Sequence, residues 1–118
     1  MSSDQHLDIQ QQDDAIVVRF GEYRKLDGWT TDKLKDELNT AADREDCRHL
    51  VLDFAGVAYA SSTMLQELLL LRRKMLSKVG ELTLVHVDSQ VREVLNITGL
   101  HWVFDIEDRE VEAFPALA

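Results

Sequence analysis

The stretch HLVLDF at residues 49–54, followed by MLQELLLLRRKMLSKV at residues 64–79, decides the fold of this chain. The first part is a nearly continuous apolar run of strand length, which is typical of a central strand covered on both faces. The second part places apolar side chains at helical spacing on one broad face, and Gly80 follows it as a stop signal. We therefore expect a heavily buried helix next to a buried strand. The apolar positions of this helix are Leu65, Leu68, Leu69, Leu71, Met75, Leu76 and Val79.

Two short β-prone runs lie upstream of the central strand. The first holds Leu7 and Ile9, the second holds residues 16–20, and the turn-forming residues 12–14 separate them. This arrangement predicts an antiparallel hairpin.

A polar connector at residues 21–27 follows the hairpin and leads to a first predicted helix. Thr30 or Thr31 is expected to cap this helix, which should end near Arg44. Its apolar positions are Leu34, Leu38, Ala41 and Ala42.

The remainder of the chain continues the alternation of strands and helices. Residues 82–87 predict a strand, residues around 91–97 predict a short helix, and Gly99 marks the end of that helix. A further strand is expected at residues 102–106 and a terminal helix at residues 108–114. Trp29 and Trp102 have two interpretations: core or edge packing, which is preferred, and exposed aromatic side chains that anchor an interface.

The predicted fold is α/β, with a mixed sheet of about five strands and helices packed against it. Strands separated by helices pair in parallel through right-handed crossovers, whereas the opening hairpin must be antiparallel. A chain of 118 residues fits one domain, so we assign residues 1–118 to it. Only the first few residues are expected to fray.

Charge and composition argue against several classes of function. The formal net charge of −9 opposes nucleic acid and anionic lipid surfaces. No apolar stretch approaches the roughly 20 residues that span a bilayer, and residues 1–12 do not resemble a signal peptide, so we expect a cytoplasmic protein. The four histidines lack metal-ligand spacing and Cys47 is the single cysteine, so no metal is expected.

Enzymatic activity and cofactor binding are not expected either. The glycine patterns that bind dinucleotides or nucleotide phosphates are missing from the sequence, so no cofactor is expected. No nucleophile, base and orienting group can be assembled from its motifs.

Three consecutive hydroxyl residues, Ser61, Ser62 and Thr63, stand where the central strand leads into the apolar helix. One interpretation is helix capping, for which Thr63 and Gln66 form a plausible capping box. The other interpretation is that one hydroxyl is phosphorylated. If Ser61 is the cap, the Thr63 hydroxyl is free; if Thr63 is the cap, Ser61 or Ser62 becomes the exposed candidate.

Phosphorylation at this position would change binding without unfolding the domain. A phosphoryl group adds about −1.5 to −2 charges, which the amino terminus of a helix stabilises. A partner surface that packs on the neutral loop would instead have to desolvate a dianion, at a cost of several kcal/mol. The modification would therefore act as an off switch.

Several segments of this chain resemble the STAS domain of anti-sigma factor antagonists. They are residues 50–54, the loop at residues 61–65, and residues 91–100 followed by Val103 and Phe104. The resemblance covers nearly the whole chain. It implies a regulatory protein that binds an anti-sigma factor serine kinase, which phosphorylates it, while a separate phosphatase restores the unmodified form.

The resemblance also implies which residues do this. Thr63 is the expected phosphorylation site, with Ser62 as the alternative. The expected partner-binding residues are Ser61, Ser62, Thr63, Met64, Gln66 and Glu67. Ser61 and Met64 depart from the family pattern, which has Asp and Gly at these two positions, and this changes the charge and the steric approach around Thr63.

A second hypothesis keeps the family but removes the switch. In it the chain is a STAS scaffold or a transporter-accessory subunit, whose loop binds a protein partner constitutively and is never phosphorylated.

Overall fold

The computed structural model describes residues 6–107, which form two sheets and three α-helices. The strands are β1 (Asp8–Gln12), β2 (Ala15–Arg19), β3 (Lys25–Leu26), β4 (His49–Asp53), β5 (Tyr59–Ala60), β6 (Glu81–Val85) and β7 (Asp105–Glu107). The helices are α1 (Gly28–Asp43), α2 (Ser62–Ser77) and α3 (Ser89–Thr98), and a 3₁₀ turn spans Leu100–Trp102.

The main sheet has five strands in the order β1-β2-β4-β6-β7. β1 pairs antiparallel with β2, and the other neighbours pair in parallel. The hairpin turns at Asp13, whose φ of 57° lies in the left-handed region that Asp tolerates better than most residues. The predicted hairpin, the mixed sheet and the central place of β4 are confirmed.

The side chains of β4 point alternately to the two faces of the sheet, and both faces are buried. Leu50 and Leu52 belong to the main core, which also contains the inward-facing residues of all three helices. Val51 points to the other face and clusters with Val17 and Val85. A side-chain period of two thus turns a continuous apolar run into two apolar faces.

A second, two-stranded sheet was not predicted from the sequence. β3 and β5 pair in parallel, with Leu26 opposite Ala60. Each strand has only two residues, which is too short for any periodic pattern. Both lie inside segments that the sequence predicts to be connecting loops.

The start of α1 differs from the prediction. Asp27 is the cap, and its carboxylate accepts a hydrogen bond from the Thr30 backbone N–H at 2.8 Å. The Thr31 hydroxyl instead donates to the Asp27 carbonyl at 2.7 Å. The predicted cap at Thr30 or Thr31 is therefore wrong, whereas the predicted end near Arg44 is confirmed.

The buried face of α2 is narrower than predicted. Leu65, Leu68 and Met75 are buried as expected, but Leu69 and Leu76 are partly exposed. Val79 lies beyond the helix and is 90% exposed. The helix carries apolar residues on more of its circumference than the sheet and α1 can cover.

The region after α3 also differs in part. Gly99 ends α3 in the left-handed region at φ 77°, as predicted. The strand expected at residues 102–106 is wrong at its start, because Trp102 ends the 3₁₀ turn and β7 begins only at Asp105. The predicted terminal helix at residues 108–114 lies outside the described residues.

Gly80 is required by close packing between the end of α2 and Arg48, the residue directly before β4. A Cβ added there would lie 2.8 Å from the Arg48 carbonyl oxygen and 2.9 Å from the Met75 methyl carbon. The residue of this turn with left-handed backbone is Val79, at φ 57°. Glycine is therefore needed at position 80 because neighbouring atoms leave no room for a Cβ, and not because of its backbone conformation.

We predict that Gly80→Ala destabilises the protein by about 1–3 kcal/mol, because the new methyl group has to displace backbone. The free energy of unfolding in urea measures this. Gly28→Ala is the matched control, since its Cβ would meet its nearest atom, Thr63 Oγ1, at an ordinary 3.6 Å. An equal loss in both variants would contradict this account.

Glu37 of α1 binds the two residues that directly precede β1. Its carboxylate accepts hydrogen bonds from the backbone N–H groups of His6 and Leu7, each at 2.9 Å, and lies 2.8 Å from His6 Nδ1. Burial raises the pKa of Glu37, but these hydrogen bonds outweigh burial and hold the pKa below its ordinary value.

This lowered pKa makes the contact dependent on pH. A carboxyl group whose pKa is lower in the folded state stabilises the protein above its unfolded pKa, about 4.3 for Glu. The contribution is lost as the pH falls through the folded pKa. We predict that Glu37→Gln lowers the unfolding free energy at pH 7 and that the difference from wild type shrinks below about pH 4. A difference that stays constant from pH 7 to pH 3 would refute this.

Candidate functional site at two helix amino termini

The small sheet places the starts of α1 and α2 side by side. β3 leads into α1 through Asp27, and β5 leads into α2 through Ser61. The pairing of Leu26 with Ala60 puts these two caps at corresponding positions. The Ser61 backbone N–H donates to the Leu26 carbonyl at 2.9 Å, which joins the two helix starts directly.

Ser61 is the amino-terminal cap of α2. Its Oγ accepts a hydrogen bond from the Met64 backbone N–H at 3.3 Å, and its backbone is extended, as a cap requires. Capping is therefore assigned to Ser61, and the proposed capping box at Thr63 and Gln66 is not formed. Of the two alternatives left by the sequence, the one with a free Thr63 hydroxyl is found.

Ser62 and Thr63 occupy the first two positions of α2 and are both exposed. Within residues 6–107, neither side-chain hydroxyl has a hydrogen-bond partner. Thr63 Oγ1 lies 3.6 Å from the position of a Cβ on Gly28, so it faces the beginning of α1. Because Gly28 has no side chain, no Cβ packs against this hydroxyl from α1.

The other predicted site residues divide into exposed and buried groups. Gln66 is exposed one turn beyond Thr63. Met64 is fully buried and Glu67 is nearly so. Glu67 accepts a hydrogen bond from Asn39 Nδ2 at 2.7 Å and so links α2 to α1. The side chains of Met64 and Glu67 thus pack inside the domain and are not on the surface that a partner could contact.

The electrostatics of this end of the domain favour an anion on α2. The backbone N–H groups of the first turn carry the positive end of the helix dipole, and that turn contains no acidic residue. At the neighbouring terminus, the backbone N–H of Thr30 lowers the pKa of Asp27, so its carboxylate stays ionised. The N–H groups of α1 are thus already served by a carboxylate, whereas α2 has only the Ser61 hydroxyl.

Aromatic side chains flank the two helix starts. Trp29 follows Gly28 directly and is 80% exposed, and Tyr59 of β5 is about half exposed. Trp102 is 85% exposed, so core or edge packing, the preferred interpretation of Trp29 and Trp102, is wrong for both residues. The sequence predicts a helix that begins at Thr30 or Thr31, whereas Trp29 lies in the first turn of α1, so no helical pattern indicates its exposure.

A second polar cluster lies at the carboxyl ends of β2, β4 and β6. Asp53 is buried and contacts His86 Nδ1 at 2.8 Å and Arg19 Nε at 3.3 Å. It also accepts a hydrogen bond from the Ala55 backbone N–H at 3.0 Å. These residues are distant in sequence, and only the parallel register brings them together. The cluster neutralises a buried carboxylate, which is a structural role.

Other kinds of site find little support in the part of the chain that the structure describes. Residues 6–107 contain no group of three His, Cys, Asp or Glu side chains that could hold a metal ion. In the same range, no helix has the length and apolar character needed to cross a bilayer. Cys47 is buried, and burial raises the pKa of its thiol, which makes it a poor nucleophile.

Known proteins share both the sequence pattern and the fold. The chain is 28% identical over 103 residues to the anti-sigma F factor antagonist of Paenibacillus polymyxa, covering 87% of this chain and 86% of that protein. A STAS domain protein from Planctomyces limnophilus, described as an anti-sigma-factor antagonist, superposes with a TM-score of 0.84 at 19% identity, over 95% of this chain and 97% of that one.

The phosphorylated form of the Bacillus cell fate determinant SpoIIAA superposes with a TM-score of 0.70 at 17% identity, over 91% of this chain and 94% of that one. The model of the STAS domain family matches residues 6–113. The chain therefore belongs to the STAS domain family of anti-sigma factor antagonists.

Proposed function

We propose that this protein binds an anti-sigma factor serine kinase through the start of α2 and is released when that kinase phosphorylates Thr63, with Ser62 as the alternative site. The observation that carries the proposal is the division of the three hydroxyls. Ser61 supplies the cap, which leaves Ser62 and Thr63 exposed at the same helix start. A kinase can therefore modify either of them without removing the cap.

The fold tolerates a phosphate at this place. The free backbone N–H groups of the first turn stabilise a negative charge, typically by 0.3–1 kcal/mol at an exposed site. Gly28, the residue of α1 nearest to Thr63 Oγ1, has no side chain that a phosphate would have to displace. Phosphorylation should therefore leave the domain folded.

A partner packed on the unmodified loop would not tolerate the phosphate. Burying a dianion without compensating charges costs several kcal/mol. A micromolar complex is stabilised by about 8 kcal/mol, so this cost removes most of the binding. The exposed Trp29 and Tyr59 beside the loop are side chains of the kind that anchor such interfaces.

The two departures from the family pattern are compatible with this function. Ser61 caps the helix as the family's Asp would, since both side chains accept a backbone hydrogen bond there. Met64 is longer than glycine, but its side chain is buried in the core and does not cover Thr63. The surface that a kinase meets is therefore formed by Ser62, Thr63 and Gln66.

The known relatives support the same function. One relative is named an anti-sigma F factor antagonist, and one structural neighbour was solved in a phosphorylated form. The chain itself would then be a regulated binding protein of the cytoplasm and not an enzyme, and a separate phosphatase would return it to the binding state.

The test is to incubate the protein with ATP and each anti-sigma factor serine kinase of its organism and to locate any phosphate by mass spectrometry. We predict modification of Thr63, or of Ser62, by one kinase. Thr63→Ala should abolish phosphorylation at Thr63 but keep binding. Thr63→Glu should weaken binding by about tenfold or more, in line with a cost above 1.4 kcal/mol.

The control is Ser61→Ala, which removes the cap without touching the exposed hydroxyls. It should lower stability by about 1 kcal/mol and leave phosphorylation in place. If no kinase modifies the protein and a partner binds wild type and Thr63→Glu equally well, the switch is refuted and a constitutive STAS scaffold is the better description.

A further inference from the structure

One face of α2 continues from the proposed switch along the length of the helix. Thr63, Gln66, Leu70, Arg73 and Ser77 follow one another at intervals of three and four residues, so they lie on the same side of the helix. All five are exposed. We refer to these five residues as the α2 stripe.

A groove between α2 and α1 borders the carboxyl-terminal half of the α2 stripe. Leu70, Arg73 and Ser77 line it from α2, together with Lys74 and with Asn39 of α1. Leu70 is 53% exposed, which leaves an apolar side chain at the mouth of the groove. The groove thus combines an apolar contact with cationic groups.

The two cations of the groove differ in their contacts. Lys74 Nζ lies 3.0 Å from Asp43 Oδ1 and donates to Asn39 Oδ1 at 2.7 Å. Arg73 has no carboxylate within ion-pair distance among residues 6–107. Arg73 is therefore available to a carboxylate from another molecule, on a protein whose own net charge is −9.

We infer that the groove docks an acidic segment of the partner kinase, with a carboxylate against Arg73 and an apolar side chain against Leu70. This inference rests on the proposed function. With a rise of 1.5 Å per residue, Thr63 and Arg73 are about 15 Å apart, so one short helix or strand of the partner spans both. Charge complementarity of this kind mainly sets the orientation and the rate of association.

The inference also gives the off switch a direct electrostatic reason. An acidic partner segment that runs along α2 ends close to Thr63. A phosphate placed there meets carboxylates, and like charges brought together at an interface disfavour the complex strongly. The same partner surface is thus attracted at Arg73 and repelled at a phosphorylated Thr63.

Neighbouring residues of α2 provide matched controls. Arg72 and Leu76 line a different groove, formed with β6 and β7, and Leu76 is 51% exposed, almost as much as Leu70. Arg73→Glu can therefore be compared with Arg72→Glu, and Leu70→Ala with Leu76→Ala. Both pairs make the same chemical change on the same helix.

The experiment measures the affinity of each variant for the kinase that phosphorylates the wild type, together with its unfolding free energy. We predict that Arg73→Glu weakens binding by about tenfold or more and reduces its sensitivity to salt. Leu70→Ala should also weaken binding, whereas Arg72→Glu and Leu76→Ala should stay within about threefold of wild type.

The results distinguish a failure of the docking groove from a failure of the proposed phosphorylation switch. Equal effects in the matched pairs, with the wild type bound and phosphorylated, would overturn the docking groove and leave the switch intact. A wild type that no kinase binds or modifies would overturn both. Unfolding free energies close to wild type exclude misfolding as the cause of any loss.

Discussion

Two main-chain hydrogen bonds hold together the end of the domain on which the proposed function depends. The Ala58 N–H donates to the Arg24 carbonyl at 2.7 Å, and the Ser61 N–H donates to the Leu26 carbonyl at 2.9 Å. They flank the pairing of β3 with β5 and, together with it, fix the relative positions of two helix starts. Without this pairing, nothing would hold Gly28 beside Thr63, and the exposed hydroxyls would not lie next to the start of α1.

The pairing also explains how three adjacent hydroxyls acquire different roles. Ser61 is held in extended backbone by its bond to Leu26, and in that position its Oγ can only cap the helix that follows. Ser62 and Thr63 then fall on helical backbone, where their side chains point outward. A single backbone constraint therefore separates the residue that caps the helix from the two residues whose hydroxyls are exposed. Under the proposed function, a substitution at Ser61 would change stability and one at Thr63 would change regulation.

The sequence predicted those elements whose burial repeats with a clear period. β4 and the core of α2 were found because one is apolar throughout and the other has apolar residues at helical spacing. β3 and β5 were missed because two residues carry no period and their pairing is long-range. The exposure of Leu69 and Leu76 could not be predicted, because the helix has leucines around much of its circumference and only the width of the packed layers decides which of them are covered. At the site, the three hydroxyls could be predicted because they are adjacent in the sequence. The presence of Gly28 and Trp29 beside them could not, because those residues belong to a distant segment of the chain.

The strength of the helix dipole and the range of ionic screening imply that the proposed switch would act locally. A phosphate changes the net charge only from −9 to about −11, which is a small change for the whole protein. At physiological ionic strength its field fades over about 8 Å, whereas the sixteen residues of α2 extend about 24 Å. The groove around Arg73 therefore keeps its potential when Thr63 is modified. In the proposed mechanism, release of a partner would have to come from the loss of contact at the start of α2, with the attraction at Arg73 left unchanged.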